Sequence, residues 1–239
     1  MVAATPATTL AMHMSDGLVN APTAAGFGLV AVVGLALAVH RARGDLDDRT
    51  APMAGLVTAF VFAVQMINFP ILPGASGHLL GGALVAILVG PWVGSLCIAI
   101  VLVVQALLFA DGGLTALGTN IVNMALVGVF AGHAVATLLR PFARRGRAGL
   151  ITTAFVAALV NTVVAALAFV LEYAIGGAGG AALGTVAALM IGLHVLIGIG
   201  EGVITAATVG AVAAVRPDLI YLLRGHAVPL EVRDAGSTA

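Results

Sequence analysis

Long apolar segments with almost no charge inside them constrain this chain more than any other feature. Of its 239 residues, 61% are hydrophobic and 8% are charged, whereas an ordinary soluble domain carries about 25% charged residues. A water-soluble fold of this length could not cover its surface with so few charges. The sequence therefore predicts an all-α integral membrane protein, embedded in a lipid bilayer.

Seven segments are candidates for membrane-spanning helices, each of which needs about 20 mostly apolar residues. The stretch 77–110 is broken by Gly90 and Pro91, and it holds either two short spans or one overlong helix. We predict seven spans, at residues 23–40, 51–69, 77–91, 92–110, 114–139, 149–174 and 182–215.

The arginines decide between six and seven spans. All ten basic residues are arginine, and loops next to spans on the cytoplasmic side are enriched in Lys and Arg. Seven spans place every arginine on one side, whereas merging 77–110 would move the cluster at 140–147 to the opposite side. We therefore predict an outer N-terminus and an inner C-terminus. Residues 1–11 form an extra tail, 12–217 a single membrane domain and 218–239 a cytoplasmic polar tail.

Several functions are excluded by what the sequence lacks. The single cysteine, Cys97, lies in an apolar run, which rules out disulfides and thiolate metal clusters within the chain. There is no phosphate-binding loop of the G-x-x-x-x-G-K-[ST] type and no H-E-x-x-H helix. No basic surface suggests nucleic acid as a partner. Any use of ATP must come from another subunit, and we predict neither an enzyme nor a cofactor.

Two histidines fall on the predicted outer face. The segment 68–82 is rich in proline and glycine and delivers His78 to the head of the next helix, and His13 lies in the N-terminal segment. A capping loop with an incidental histidine explains His78 about equally well. Taken together, the two imidazoles suit nickel, copper or cobalt.

The other polar residues near the spans allow two interpretations. His40, His133 and His226 lie towards the inner side, where solvated roles are expected. His194 and Glu201 lie seven residues apart on one helix face, and an ionisable group inside a membrane is a functional candidate by default. Six residues either support the metal ligands or hydrogen-bond between helices: Asn68, Ser76, Asn120, Asn123, His194 and Glu201.

Several stretches of the sequence resemble the CbiM/NikM family, the cobalt and nickel substrate-specific components of energy-coupling-factor transporters. The resemblance covers about residues 12–205. It is carried by Met12-His13-x-x-Asp16-Gly17, Gln65-Met66-Ile67-Asn68-Phe69-Pro70, Ser76-Gly77-His78-Leu79-Leu80-Gly81-Gly82, Gly90-Pro91-Trp92, Asp111-Gly112-Gly113-Leu114, Gly118-x-Asn120-x-x-Asn123-Met124 and His194-x-Leu196-Ile197-Gly198-x-Gly200-Glu201-Gly202.

The resemblance implies a fold, partners and a ligand set. It implies seven helices, a transmembrane coupling subunit, two ATPase subunits and often a small accessory membrane protein, in the inner membrane of a prokaryote. It also implies that Co(II) or Ni(II) is bound by the amine of Met12, the main-chain nitrogen and imidazole of His13, and the imidazole of His78. A square-planar nitrogen field suits Ni(II).

One feature departs from the family pattern. Eleven residues precede Met12, so this residue has no free amine in the chain as written, and we hypothesise that Met12 is the true start. Ala59 and Ala63 lie one turn apart, and either dock the coupling subunit or pack within the chain. The rival functions are a stand-alone secondary transporter, which would need intramembrane carboxylates such as Glu201, and an intramembrane enzyme.

Overall fold

Helices make up nearly all of the described structure. The computed structural model describes residues 13–67, 69–72 and 75–224. Five helical segments in this part are long and apolar enough to cross a membrane. They are α1 (Ala21–Ala42), α4 (Pro91–Leu108), the continuous segment Leu117–Leu138, α8 (Arg147–Gly176) and α9 (Leu183–Val215). All five lie within a few residues of predicted spans.

Two further helices are shorter than the predicted spans. Helix α2 (Thr50–Gln65) has 16 residues and α3 (Gly82–Val89) has eight. At 1.5 Å per residue, α3 is about 12 Å long, less than half of a hydrocarbon core of about 30 Å. The predicted helical span at 77–91 is therefore wrong in its first five residues, where the chain is not helical. The count of seven spanning helices stays a prediction.

A small hairpin precedes α3 and was not expected in an all-α fold. Strands β1 (Phe69–Leu72) and β2 (Ala75–Gly77) pair antiparallel, with Phe69 opposite Gly77 and an irregularity between Pro70 and Leu72. The prolines and glycines of this segment predicted a structured turn, and the strands give that turn its form.

Helix α3 lies at the centre of the bundle. All eight of its residues are buried, and it packs against α2, α4, α6 (Val129–Leu138) and α8. Contact with α8 and α6 is close enough that a Cβ added at Gly82 would lie 2.5 Å from Oδ1 of Asn161 and 3.2 Å from the main-chain nitrogen of Val129. A short apolar helix buried on every side suits the middle of a membrane bundle.

The segment Leu117–Leu138 changes its helical form along its length. It begins as α5 (Leu117–Asn120), continues as a π-helix (Ile121–Gly128) and ends as α6. Such π-helical turns are rare and occur often at functional sites. Both candidate asparagines, Asn120 and Asn123, lie at the start of this change.

Arginines tie together the end of the bundle opposite His13. Arg140 donates to the carbonyl oxygens of Leu222 and Arg224, and Arg224 donates to Oγ1 of Thr50 at 2.6 Å. Ile220 and Leu222 are buried. The first residues of the predicted polar tail, 218–224, therefore pack against the bundle, while 225–239 and 1–11 lie outside the described residues.

The outward helix faces are apolar. Leu29, Leu56, Leu108 and Leu171 each expose more than half of their surface, which would be costly in water at this density. Together with the five long apolar helices, these faces fit a multi-pass membrane protein.

Candidate metal site

His13 and His78 lie side by side although 65 positions separate them in the chain. Their ring centroids are 4.5 Å apart with an interplanar angle of 40°, and both residues are buried, 3% and 2% exposed. His13 comes from the segment before α1, and His78 follows the β1–β2 hairpin. The two histidines predicted on one face are thus brought together in space.

Hydrogen bonds hold one nitrogen of each ring, which is Nδ1 in both histidines. Nδ1 of His13 lies 3.0 Å from Oδ1 of Asp111, and Nδ1 of His78 lies 2.9 Å from the carbonyl oxygen of Leu79. Both neighbours are acceptors, so each Nδ1 carries the proton in a neutral ring. Each Nε2 then has a lone pair, and among the residues that the structure describes neither buried Nε2 has a hydrogen-bond partner.

The electrostatic surroundings favour neutral imidazole at His78. Burial, followed by the neighbouring His13, lowers the pKa of His78 well below its usual value, because desolvation penalises the charged ring. The hydrogen bond from His13 lowers the pKa of the Asp111 carboxyl. A carboxylate behind one imidazole and a carbonyl behind the other is the arrangement commonly found behind histidine metal ligands.

Asn120 clamps the main chain next to His13. Its Oδ1 accepts the N–H of Met14 at 2.8 Å, and its Nδ2 donates to the carbonyl oxygen of Met14 at 3.1 Å. The N–H of Gly113 reaches the same carbonyl at 2.9 Å. Asn120 therefore holds both main-chain polar groups of Met14, the residue that follows His13.

The Asp111-Gly112-Gly113 turn closes over the His13 segment. Gly112 has φ +85°, and a Cβ there would lie 3.2 Å from Cβ of His13, which strongly favours glycine. Asp16, further along the same segment, accepts from the N–H of Thr115 at 2.8 Å and from its hydroxyl at 2.6 Å. The turn is one of the motifs that resemble the CbiM/NikM family, but the sequence alone predicts no role for Asp111.

Glu201 contacts the segment that carries His78. Its carboxylate accepts the main-chain N–H groups of Leu80 and Gly81, so it acts on the backbone two and three positions after the histidine. His194 is buried, and its Nδ1 lies near the carbonyl oxygen of Met190 one turn earlier in α9. Of these two predicted supporting residues, Glu201 is the one with a described hydrogen bond to the His78 segment.

Glu172, near the end of α8, is a second buried carboxylate. It is 1% exposed, and Nδ2 of Asn123 donates to its Oε2 at 2.6 Å. The signal that could have found it is a lone glutamate near the end of an apolar helix. Asn123 is thus paired with α8 rather than with the histidines.

Some predicted residues fall where little or nothing is described. Met12 and Asn68 lie outside the described residues, and of Ser76 only the backbone in β2 is described. Ala59 and Ala63 are exposed on α2, so intramolecular packing in the described part does not cover them. They remain candidates for contact with a coupling subunit.

Two imidazoles do not complete a metal site by themselves. Within residues 13–67, 69–72 and 75–224, no group of three or more His, Cys, Asp or Glu side chains could hold a metal ion. Further ligands would have to come from main-chain nitrogen, from the residues before His13 or from water. Paired imidazole nitrogens without thiolates suit nickel, copper or cobalt more than a hard cation.

Comparison with known families decides the identity of this bundle. The family described as the cobalt uptake substrate-specific transmembrane region, CbiM, matches residues 13–219. The chain belongs to the CbiM family. The matched region runs from His13 to the short helix Pro217–Leu219, and so contains every described element except the final turn.

Relatives of this CbiM-family chain are transport proteins. It is 40% identical over 209 residues to an Archaeoglobus fulgidus protein whose provisional name is fused nickel transport protein NikMN, covering 87% of this chain and 68% of that one. It is 32% identical to the cobalt transport protein CbiM of Sorangium cellulosum, covering 89% and 96%. A crystal structure of a truncated transition metal transporter matches with TM-score 0.77 and 28% identity, covering 84% and 98%.

These likenesses fix the general function. The chain is a cobalt/nickel transport substrate-specific membrane component and not an enzyme. The family description names cobalt uptake, and both nickel and cobalt transport proteins are among the relatives.

Proposed function

We propose that this chain is the metal-capturing subunit of an ATP-driven importer of the energy-coupling-factor type. It binds Co(II) or Ni(II) at the external face through His13 and His78 and passes the ion inward. A transmembrane coupling subunit and two ATPase subunits supply the energy, and a small accessory membrane subunit assists in some assemblies. The location is the inner membrane of a prokaryote.

The pair of unpartnered Nε2 atoms is the observation that carries this proposal. Each is buried, each belongs to a ring whose Nδ1 faces an acceptor, and the two rings are neighbours. Leaving two buried acceptors unsatisfied costs free energy, about 1–3 kcal/mol for each group. A metal ion between the rings would satisfy both at once.

Two versions of this site differ in the atom of His13 that binds the metal and in the ligands that complete the site. A chelate ring between the main-chain nitrogen and the imidazole of one histidine closes through Nδ1, but Nδ1 of His13 lies against Asp111. Binding through Nε2 keeps that hydrogen bond, whereas the fused chelate that the family resemblance implies, with the Met12 amine, requires the ring to turn. In both versions His13 and His78 are ligands and the field is rich in nitrogen, as Ni(II) prefers.

The rival reading as a secondary transporter loses the intramembrane carboxylate that the sequence offered for it. It needs a membrane carboxylate free to bind a coupling ion. The sequence offered Glu201, but three N–H groups already donate to this carboxylate. ATP-driven uptake also agrees with a chain that has no phosphate-binding loop of its own.

Metal titration of the purified chain tests the site. We expect His13→Ala and His78→Ala each to weaken Ni(II) and Co(II) binding by at least about 100-fold in calorimetry, because each removes a side chain that binds the metal directly. His40→Ala is the matched control, since His40 is exposed near the opposite end of α1, and it should bind as the wild type does. Wild-type affinity in both ligand variants would overturn the site.

Uptake measurements test the energy source separately. Cells lacking their own carriers should accumulate nickel or cobalt when the chain is expressed with its coupling and ATPase subunits. Accumulation should stop when the ATPase subunits carry inactive nucleotide sites. Full uptake by the chain alone, abolished by dissipating the proton gradient, would favour the secondary transporter.

A further inference from the structure

The backbone between the hairpin and α3 is buried but not helical. Residues 78–81 are all buried, and α3 begins at Gly82. Gly81 has φ +79°, and a Cβ at this position would lie 2.8 Å from Cγ1 of Val61. Buried backbone that is not helical must find hydrogen-bond partners elsewhere in the protein. The hydrogen-bond partners of the main chain at residues 78–81 therefore determine where this segment lies.

A single carboxylate satisfies the N–H groups at the start of α3. The N–H of Leu80 donates to Oε2 of Glu201 at 2.7 Å, and the N–H of Gly81 donates to Oε1 at 3.2 Å. From the end of α2, Nε2 of Gln65 donates to the carbonyl oxygen of Leu80 at 2.6 Å. A carboxylate is a favourable partner here, because the first N–H groups of a helix lack partners within it and carry partial positive charge.

Helix α8 fixes Glu201 in turn. Nδ2 of Asn161 donates to Oε1 at 2.9 Å, and the hydroxyl of Thr162 lies 3.1 Å from Oε2. Glu201 is 1% exposed, so these contacts hold the side chain in a single place. The network joins the two longest helices, α8 and α9, to the short segment that begins at His78.

We propose that Glu201 is a positioning residue for metal binding, acting through His78. The imidazole of His78 is oriented by the carbonyl oxygen of Leu79, which lies between the histidine and the two residues that Glu201 holds. Displacing Leu80 and Gly81 would move that carbonyl and turn Nε2 of His78 away from Nε2 of His13. This inference rests on the proposed function.

Among the described residues, Glu172 is a second buried carboxylate and offers a matched control. Glu172 is as buried as Glu201, but its described hydrogen bond goes to Asn123 of the π-helix. Replacing either glutamate by glutamine removes one buried carboxylate at nearly constant volume. Only the change at Glu201 places an amide N–H group against the N–H donors of the His78 segment.

Metal affinity in the full-length protein in detergent is the first readout. We expect Glu201→Gln to weaken Ni(II) binding about 10–100-fold, the range found when the groups behind metal ligands are lost. Glu172→Gln should stay within about twofold of the wild type. Asn161→Ala, which removes one donor to Glu201, should cause a smaller loss, and it serves as the test if Glu201→Gln does not fold.

X-ray absorption of bound Ni(II) separates positioning from a general loss of stability. At saturating metal, we expect two imidazole ligands in the wild type and one in Glu201→Gln, with both retained in Glu172→Gln. Two imidazoles and wild-type affinity in Glu201→Gln would overturn this inference alone. Fewer than two imidazoles in the wild type, or unchanged binding by His78→Ala, would instead overturn the proposed metal site.

Discussion

At the residue scale, Asp111 fixes which ring nitrogen of His13 carries the proton. Its Oδ1 lies 3.0 Å from Nδ1 of His13, and a carboxylate accepts but does not donate, so the proton stays on Nδ1 and the lone pair on Nε2. The same hydrogen bond fixes the orientation of the ring, as carboxylates behind metal-binding histidines do.

Removing this carboxylate should weaken metal binding without removing a ligand. We expect Asp111→Ala to weaken Ni(II) binding about 10–100-fold, because His13 loses the partner that fixes its tautomer and orientation. Asp111→Asn keeps an oxygen that can accept from Nδ1, so its loss should be smaller. Calorimetry would measure both.

Asp48→Ala provides the control for loss of one negative charge. Asp48 is exposed between α1 and α2, at the opposite end from His13. It should leave metal affinity unchanged. An affinity in Asp111→Ala equal to that of the control would show that the carboxylate does not act on the site.

The site illustrates what residue types along a sequence can and cannot predict. His13 and His78 were recognisable because histidine is rare in apolar surroundings and a charge-based topology placed both on one face. Their partners were not recognisable in the same way. Asp111 lies 98 positions from His13 and Glu201 lies 121 positions from Leu80, and pairings at such separations depend on helix packing that periodicity does not encode.

At the element scale, the late start of α3 at Gly82 places His78 before the helix rather than within it. A helix that began at residue 77, as the apolar run predicts, would carry His78 on its own first turn. Residues 79–89 carry no charge, and the adjacent glycines Gly81 and Gly82 do not by themselves show at which residue helical hydrogen bonding begins. The start is set by the left-handed conformation of Gly81 and by Glu201 from α9.

Gly81 should tolerate no side chain at this junction. A left-handed conformation costs about 1–2 kcal/mol for other residues, and forcing a Cβ against Val61 adds about 1–3 kcal/mol of overpacking. We therefore expect Gly81→Ala to lower the unfolding temperature in detergent and to weaken metal binding, since the strain lies three residues from His78.

Gly180→Ala separates the two costs. Gly180 also has a positive φ, +74°, but no atom lies within 4 Å of a Cβ placed there. It should show the conformational cost alone and keep wild-type metal affinity. Equal destabilisation by the two substitutions would mean that contact with Val61 contributes nothing.

At the scale of the whole molecule, the positions of the arginines agree with the direction in which the helices run. The arginines in the described part of the chain all flank helix ends on the side away from His13: Arg41, Arg43, Arg49, Arg140, Arg144, Arg145, Arg147, Arg216 and Arg224. Five predicted spans agree with the observed helices to within about three residues at either end. The sequence could predict these because each is a long apolar run bounded by charge or glycine. Helix α3 has only eight residues, and the several glycines and prolines before it do not show which one marks the start of the helix.

Cysteine labelling in intact cells would test both the orientation and the number of crossings. In a Cys97→Ala background, cysteines at Leu114 and Ala182, both exposed at the His13 end, should react with a membrane-impermeant maleimide. Cysteines at Asp48 and Arg145, both exposed at the other end, should react only after lysis. This pattern is expected because arginine-rich loops stay inside. If 77–110 crossed the membrane only once, the cysteine at Arg145 would be labelled in intact cells and the cysteine at Leu114 would not. If the labelling of all four positions were inverted, the proposed metal site would lie on the inner face.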